Sequence, residues 1–419
     1  MQLAEQHVIK RSDSRYQAID TAAFASKNLY NAANYEYRQA FIHEGKYLNY
    51  HEVQKRMQSH EAYKALPAKV SQQILMILDN NWISFKEGLK AYYEDPSKFL
   101  ERPRPPKYKH KTEGRNILIY TIQAMSQGKK GLQRGIIKPS MLAISVQTQQ
   151  DPKQINQVRI IPRNGHYVVE VIYSKNPVQA QVDPSFCVAI DLGVTNLAAI
   201  TSNRAGFVPR LVNGRTLKAR NQWYNKRMKE LKLCLPKEDR ERVTKQMEHI
   251  TNKRNRQVNH YLHTASKSLI DFLVKQGVGT IIVGKNPLWK QEAGMGKRNN
   301  QNFVQIPHAR LIDMLTYKAS LVGIQVEVQD ESYTSKASFL DLDPIPTYKP
   351  NDDAEYTFSG KRIGRRNRLY RTKDGIIICA DVNGSYNILR KSKPDAFAHA
   401  DAKGIAAYVV QPLRLAITV

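Results

Sequence analysis

Two aspartates stand where a metal-dependent hydrolase needs oxygen ligands. Asp191 closes the apolar run Phe186-Cys-Val-Ala-Ile190 and is followed by Leu192, Gly193 and a second apolar run reaching Ile200. A buried strand should therefore end in a carboxylate at a tight hairpin, with the carboxylate at the edge of a sheet. Asp381 closes Ile376-Ile-Ile-Cys-Ala380 and precedes Val382-Asn-Gly-Ser-Tyr-Asn-Ile-Leu389, which reads as a short helix. The same side chain would serve equally well as that helix's N-cap, and carboxylates at strand ends are common. What gives the pair weight is its two contexts taken together. Hard Mg²⁺ or Mn²⁺ ions prefer carboxylate oxygens, and two such ions ~3.5–4 Å apart can activate a water and stabilise a leaving oxygen at a phosphodiester. Such a centre normally needs a third carboxylate.

The elements that must position these groups follow from periodicity. From Gln17 to about Glu94 apolar residues recur at helical spacing, with Ala18, Ala22, Ala25, Leu29, Ala33 and Tyr37 in the first run and further runs from Tyr50 and Pro67. Pro96 ends this helical lobe, and Glu101-Arg-Pro-Arg-Pro-Pro-Lys-Tyr-Lys-His-Lys111 reads as a basic, extended connector. Short β-like runs follow at Asn116 to Thr121, Met141 to Val146, Gln157 to Ile161 and Tyr167 to Tyr173, as in a small barrel or half-open sheet, with basic loops around Lys129, Lys130 and Arg134. Past Val182-Asp183-Pro184 the pattern becomes α/β, with strands at Phe186 to Ile190, Thr280 to Val283, Ile324 to Val328 and Ile376 to Cys379. Arg215 to Lys275 is a long helical stretch broken at Pro236. It carries Lys253, Arg254 and Arg256, which either track a phosphate backbone or form a solvated helix face. The tail after Pro394 is Ala-rich and then apolar, and no role follows from it.

Composition narrows the partner. The 419 residues hold 65 Lys and Arg against 37 Asp and Glu, a formal net charge of +28. That excess recurs along the whole chain, beyond what solubility requires, and favours a polyanion, nucleic acid above all. The three cysteines, Cys187, Cys234 and Cys379, form no C-x-x-C pair. They fit a reducing cytosol and carry no zinc signature. No secretory leader or membrane-spanning apolar run is visible, so a soluble, cytoplasmic protein with no membrane partner is expected.

The D-x-G hairpin at Asp191, the run Ala380-Asp-Val-Asn-Gly-Ser-Tyr-Asn-Ile-Leu389, and the segments Val283-Gly-Lys-Asn-Pro-Leu-Trp-Lys-Gln291, Asn299-Asn-Gln-Asn-Phe-Val-Gln-Ile-Pro307 and Glu331-Ser-Tyr-Thr-Ser-Lys336 occur in one order. Together with the succession of helical lobe, β region and α/β domain, they resemble TnpB, the RNA-guided nucleases of insertion sequences related to type V CRISPR effectors. The resemblance runs from about Val8 to Lys391. It implies a multidomain α+β and α/β chain: a wedge-like β domain (1–15 and 102–181), a helical recognition lobe (16–101), a RuvC-like nuclease domain of RNase H fold (182–334 and 376–391), a target-strand-loading insert (335–375) and a tail (392–419). It also implies a guide RNA derived from the transposon end, a double-stranded DNA target beside a short motif, and Mg²⁺ or Mn²⁺ held by three carboxylates.

Two departures matter. Many relatives carry the middle catalytic glutamate at the end of the second apolar strand, but here Thr280-Ile-Ile-Val283 runs into Gly284 and Lys285. A glutamate instead ends the next strand, Ile324-Gln-Val-Glu-Val-Gln-Asp-Glu331, which should lie beside it in the sheet. Asp191, Glu331 and Asp381 are thus the expected metal ligands, with Asp330 and Glu327 as lesser candidates. Relatives also often carry two C-x-x-C pairs after Tyr-Thr-Ser. Ser335 to Ala380 holds only Cys379, so no zinc is expected, and Lys361, Arg362, Arg365, Arg366 and Arg368 remain available to phosphates. Trp289, Lys290, Lys297, Arg298, Asn299, Asn300, Gln301 and Phe303 form a basic loop with two aromatics suited to phosphate contact and base stacking, though the aromatics would also serve as core anchors. The competing functions are a nuclease-inactive guided DNA-binding repressor, motivated by Gly284, and a guide-independent transposase of the same fold.

Overall fold

The computed structural model describes residues 1–125, 135–286, 305–348, 354–364, 368–397 and 409–417. They form two compact units, Met1–Lys175 and Asn176–Val419. No helix among the described residues is long and apolar enough to cross a membrane.

In the first unit, strand β1 (Gln2–Lys10) leads into helices α1 (Tyr16–Glu44), α2 (Tyr50–Met57), α3 (Glu61–Lys64) and α4 (Ala68–Glu94). α1 turns its buried Ile19, Ala23, Tyr30, Ala33 and Tyr37 into one core with Ile74, Leu78 and Trp82 of α4. Tyr37 and Trp82 stack at 5.5 Å, and the Trp82 indole donates to buried Asn34. α2 begins with a reciprocal capping box between Asn49 and Glu52. The proline-rich connector lies extended along α1, where Asn31, Asn34 and Arg38 donate to the carbonyls of Lys109 and Pro106. Strands β2 (Leu118–Thr121), β3 (Ile136–Ile137), β4 (Val146–Gln147), β5 (Ile155–Arg163) and β6 (His166–Ser174) complete the unit.

Here the barrel expectation is corrected. The sheet is open, four-stranded and antiparallel in the order β1-β6-β5-β2, with β3 and β4 as a separate pair, and it shares one core with the helices. The strand expected from Met141 shrinks to Val146–Gln147, because Met141 adopts left-handed backbone (φ 54) in a turn and breaks the extended run. The loops around Lys129, Lys130 and Arg134 lie outside the described residues.

The second unit is built on a six-stranded sheet. Strands β7 (Asp183–Leu192), β8 (Asn196–Ser202) and β9 (Arg210–Asn213) form an antiparallel meander; helices α5 (Arg215–Leu233) and α6 (Lys245–Gln276) follow. Then come β10 (Val278–Gly284), α7 (His308–Ser320), β11 (Gln325–Gln329), β12 (Lys361–Ile363), β13 (Leu369–Arg371), β14 (Ile377–Cys379), α8 (Ala380–Ser392) and β15 (Leu413–Arg414). The order is β11-β10-β7-β8-β9-β15, with β10 parallel to both β7 and β11. Side-chain alternation splits the central strands between two cores. Val188, Ile190, Ile281 and Val283 face α6 and α7, whereas Ala189, Ala199 and Ile282 face α8. Burial on both faces explains why these strands read as uninterrupted apolar runs.

Three details depart from the sequence reading. β7 lies between β10 and β8, so Asp191 sits at the end of a central strand, not at the sheet's edge. Ile376 to Cys379 does not join this sheet: β14 pairs with β13, and β13 with β12, in a small antiparallel sheet of its own. The tail contributes β15, which pairs with β9 at the far edge.

Candidate active site

The three carboxylates come from three elements gathered by one helix. Asp191 is the penultimate residue of β7, paired with Ala199 on β8. On the other side Ile190 pairs with Val283, so one further step puts Gly284 beside Asp191. Glu331 follows β11, which ends at Gln329, so it lies in the loop past the strand and not within it, as the sequence had implied. From there its side chain reaches back over the end of β10: a Cβ built on Gly284 would lie 2.9 Å from Glu331 Oε2. Gly284, where the resemblance had led us to expect a carboxylate, also makes the room that Glu331 fills.

α8 contributes the third group and positions the other two. Asp381 lies in its first turn, with Cys379 in the capping position, so the N-cap reading of Asp381 does not hold. Its Oδ2 accepts instead from Asn196 Nδ2 at 2.8 Å and from Arg368 Nη1 at 3.0 Å. Residues 381, 384, 388 and 391 fall on one helical stripe. Gly384 lets the helix close on β7, since a Cβ there would meet Asp191 Oδ2 at 2.9 Å. Ile388 packs at Gly284 beside the Glu331 carboxylate. Lys391 Nζ donates to Asp330 Oδ2 at 2.5 Å and to the Ser332 carbonyl at 3.2 Å, which clamps the loop on both sides of Glu331.

The rest of the Asp-Val-Asn-Gly-Ser-Tyr-Asn run is explained by what it holds. Buried Asn383 and Asn387 both donate to the Ala337 carbonyl at 2.7 Å, and Asn387 also donates to that of Thr334. They hang the Tyr-Thr-Ser turn from α8. Ser385 donates to the Ala189 carbonyl of β7 at 3.0 Å, and Tyr386 stacks on Phe339 at 4.2 Å. On the opposite side of the hairpin, buried His308 sets Nε2 3.1 Å from the Gly193 carbonyl.

Electrostatics mark the three groups as a charge-deficient cluster. Loss of solvation, then the proximity of Asp381 and Glu331, pushes the Asp191 carboxyl well above the usual carboxylate range, while Arg362 and Arg368 pull it down. Burial, then Asp330, pushes Glu331 up to about 7. No donor among the described residues bonds the carboxylate of Asp191 or of Glu331. Crowded carboxylates without donors are what a divalent cation satisfies, so the donor set fits Mg²⁺ or Mn²⁺. The three are not drawn into a finished cage: no group of three His, Cys, Asp or Glu among the described residues is close enough to hold an ion as it stands. Like charges repel, and Asp381 spends an oxygen on Arg368 and Asn196.

The other expected residues separate clearly. Asp330 is taken by Lys391, and Glu327 by Lys393 and Ser392, so neither lesser candidate is directed at the cluster. Lys253 and Arg256 are exposed on α6, but Arg254 is spent internally on Asn221 and the Gln305 carbonyl. Lys361 and Arg362 are exposed on β12, whereas Arg368 turns onto Asp381. Trp289, Lys290, Lys297, Arg298, Asn299, Asn300, Gln301, Phe303, Arg365 and Arg366 lie outside the described residues. Reading the sequence missed Asn196, His308 and Lys391. Only Asn196 left a trace, as the polar residue in the D-x-G-x-x-N turn.

Fold and site thus define a two-unit mixed α/β protein with a carboxylate cluster drawn from the end of β7, the loop after β11 and the first turn of α8. Residues 166–289 match the OrfB_IS605 family, described as a probable transposase, and residues 308–388 match the Cas12f1-like TNB domain. A TnpB-like protein, ORF457 of Acidianus two-tailed virus, is 24% identical over 421 residues, 88% of this chain and 81% of the viral protein. A Cas12f1 chain solved by cryo-EM with sgRNA and target DNA shares the fold at TM-score 0.52 and 14% identity, over 89% of this chain and 82% of its own. The chain is thus similar to TnpB-like and Cas12f1-like proteins.

Proposed function

We propose that this protein is an RNA-guided DNA endonuclease of an insertion sequence, which hydrolyses target DNA next to a short adjacent motif. The observation that carries the reading is the α8 stripe, which brings Asp381, Asp191 and Glu331 together while leaving two of them without donors among the described residues. The strand order β9-β8-β7-β10-β11, a meander followed by two parallel strands, supports a RuvC-like domain of RNase H type. In this reading Asp191, Glu331 and Asp381 hold Mg²⁺ or Mn²⁺, and no zinc is used. The ions, when bound, supply an activated water and charge stabilisation of the leaving oxygen. Asn196 orients Asp381, Lys391 fixes the Glu331 loop, and Gly284 keeps the space between Asp191 and Glu331 open. The helical lobe and open sheet of the first unit serve as recognition and wedge domains, and segment 335–375 loads the target strand. Guide RNA from the transposon end and duplex DNA fit the +28 charge, and the site of action in this reading is the cytosol or nucleoid.

The test is to co-express the chain with its native flanking DNA, sequence the bound RNA, and challenge the complex with a library of randomised adjacent motifs. Divalent-dependent cutting that Asp191→Ala abolishes, with guided binding retained, is the expected result; guided binding without any cutting would replace the nuclease by a repressor. Gly284, standing where a catalytic carboxylate was expected, is the observation that favours that second reading. Transposon-end joining by the RNA-free protein would replace both with a transposase.

A further inference from the structure

One contact in the cluster sets a cation on a candidate metal ligand. Arg368 is among the few non-glycine residues with left-handed backbone (φ 50), a conformation kept only where the surroundings enforce it. Its carbonyl accepts from Ala380 N at 2.8 Å, and the next residue, Leu369, pairs with Cys379, so its backbone is fixed immediately before Asp381. From there the guanidinium turns back onto the centre. Nη1 lies 3.0 Å from Asp381 Oδ2, the oxygen Asn196 also holds, and 3.9 Å from where a Cβ on Gly193 would be. The Asp381 side chain is 13% exposed and that of Arg368 is 37% exposed, so the cation has an open path away from the carboxylate. An arginine keeps its charge at any working pH, and its charge-assisted hydrogen bond competes with anything else that needs the same oxygen.

We propose that Arg368 is a resident counter-ion of the carboxylate centre, which occupies Asp381 in the nucleic-acid-free protein and must swing out before that carboxylate can ligate a divalent cation. The inference rests on the metal-centre reading above. Lys361 and Arg362 of β12, which pairs with the strand that follows Arg368, face solvent.

The alternative is a brace: Arg368 merely pins the start of α8, and its removal loosens the site. The two differ in sign. Mn²⁺ is titrated into the full RNA-free chain at fixed ionic strength, free Mn²⁺ is read by electron paramagnetic resonance, and only sites lost in Asp191→Asn are counted. Arg368→Gln should tighten those sites by on the order of tenfold, since an oxygen is freed from a charged partner. Arg368→Lys, which keeps the charge but loses the planar fork, should tighten them by about twofold and serves as the reading if the glutamine variant does not fold. Unchanged or weaker affinity in the variant that folds overturns the counter-ion and leaves the metal centre standing. No Asp191-dependent Mn²⁺ site in any protein overturns both.

Discussion

Two groups of carboxylates flank α8, and they are built in opposite ways. In segment 335–375, Asp343 accepts from the Ser338 and Ser359 backbone amides and the Ser359 hydroxyl, while Asp341 accepts from the Ser338 hydroxyl and the Lys373 amide. Both carboxylates there are held by donors of the fold. At the strand ends, Asp191 and Glu331 have no donor among the described residues and are pushed up in pKa. A buried carboxylate saturated with amide donors is a structural pin, and one left without them is an unpaired charge that the fold retains at a cost. In the first group hydrogen bonds do the tethering. The second group is where chemistry is expected.

The comparison is most sharply broken by Glu331→Ala. Guided cleavage should fall roughly a thousandfold, equivalent to ~4 kcal/mol, with melting temperature unchanged or raised; full activity, read in a single-turnover cutting assay, would remove Glu331 from the site. Next in size is pH. A buried acid whose folded pKa of about 7 exceeds its unfolded value of 4.5 binds protons more tightly when folded, so stability falls as pH rises through that window. Metal-free protein should lose up to ~3 kcal/mol between those limits, measured by denaturant titration, with Mg²⁺ recovering it and Glu331→Gln flattening the curve. A flat wild-type profile would contradict the unpaired state of this carboxylate.

Asp343→Ala tests the other half. It strands the buried Ser338 amide and should cost about 2 kcal/mol in unfolding free energy while leaving Mn²⁺ affinity within about twofold. Loss of affinity without loss of stability would erase the distinction between the groups. The smallest effect is expected from Gly284→Ala, whose methyl would meet Ile388 Cδ1 and Glu331 Oε2. Ile388 can rotate, so the stability cost is about 1 kcal/mol, while the displaced Glu331 should lower the cleavage rate by about tenfold. Unaltered kinetics would mean that Glu331 does not reach in over β10.

Much of this site could be read in one dimension. Apolar runs ending in Asp191 and Asp381 are local patterns, and Gly284 followed one strand later by Glu331 is an anomaly with a visible remedy. What escaped depends on contacts distant in sequence. Asn196 and Asp381 are separated by 185 positions and Lys391 and Asp330 by 61, and nothing local announces either pair. Ile376 to Cys379 reads as a core strand because its apolar composition suits any sheet; the hairpin before it decides that it joins a smaller one. Met141 looks extended until its turn is seen.

By itself, then, the sequence determined the order of elements, the apolar runs of the central strands, the basic character of the chain and a short list of candidate carboxylates, because each is written in residue type and short-range period. Tertiary structure alone decided that Glu331 reaches over Gly284 from beyond its strand, that one stripe of α8 gathers the cluster, and that Arg368 rests on Asp381. Those facts are set by how strands end and how a helix lies across them, and such distances are defined only once the chain has folded.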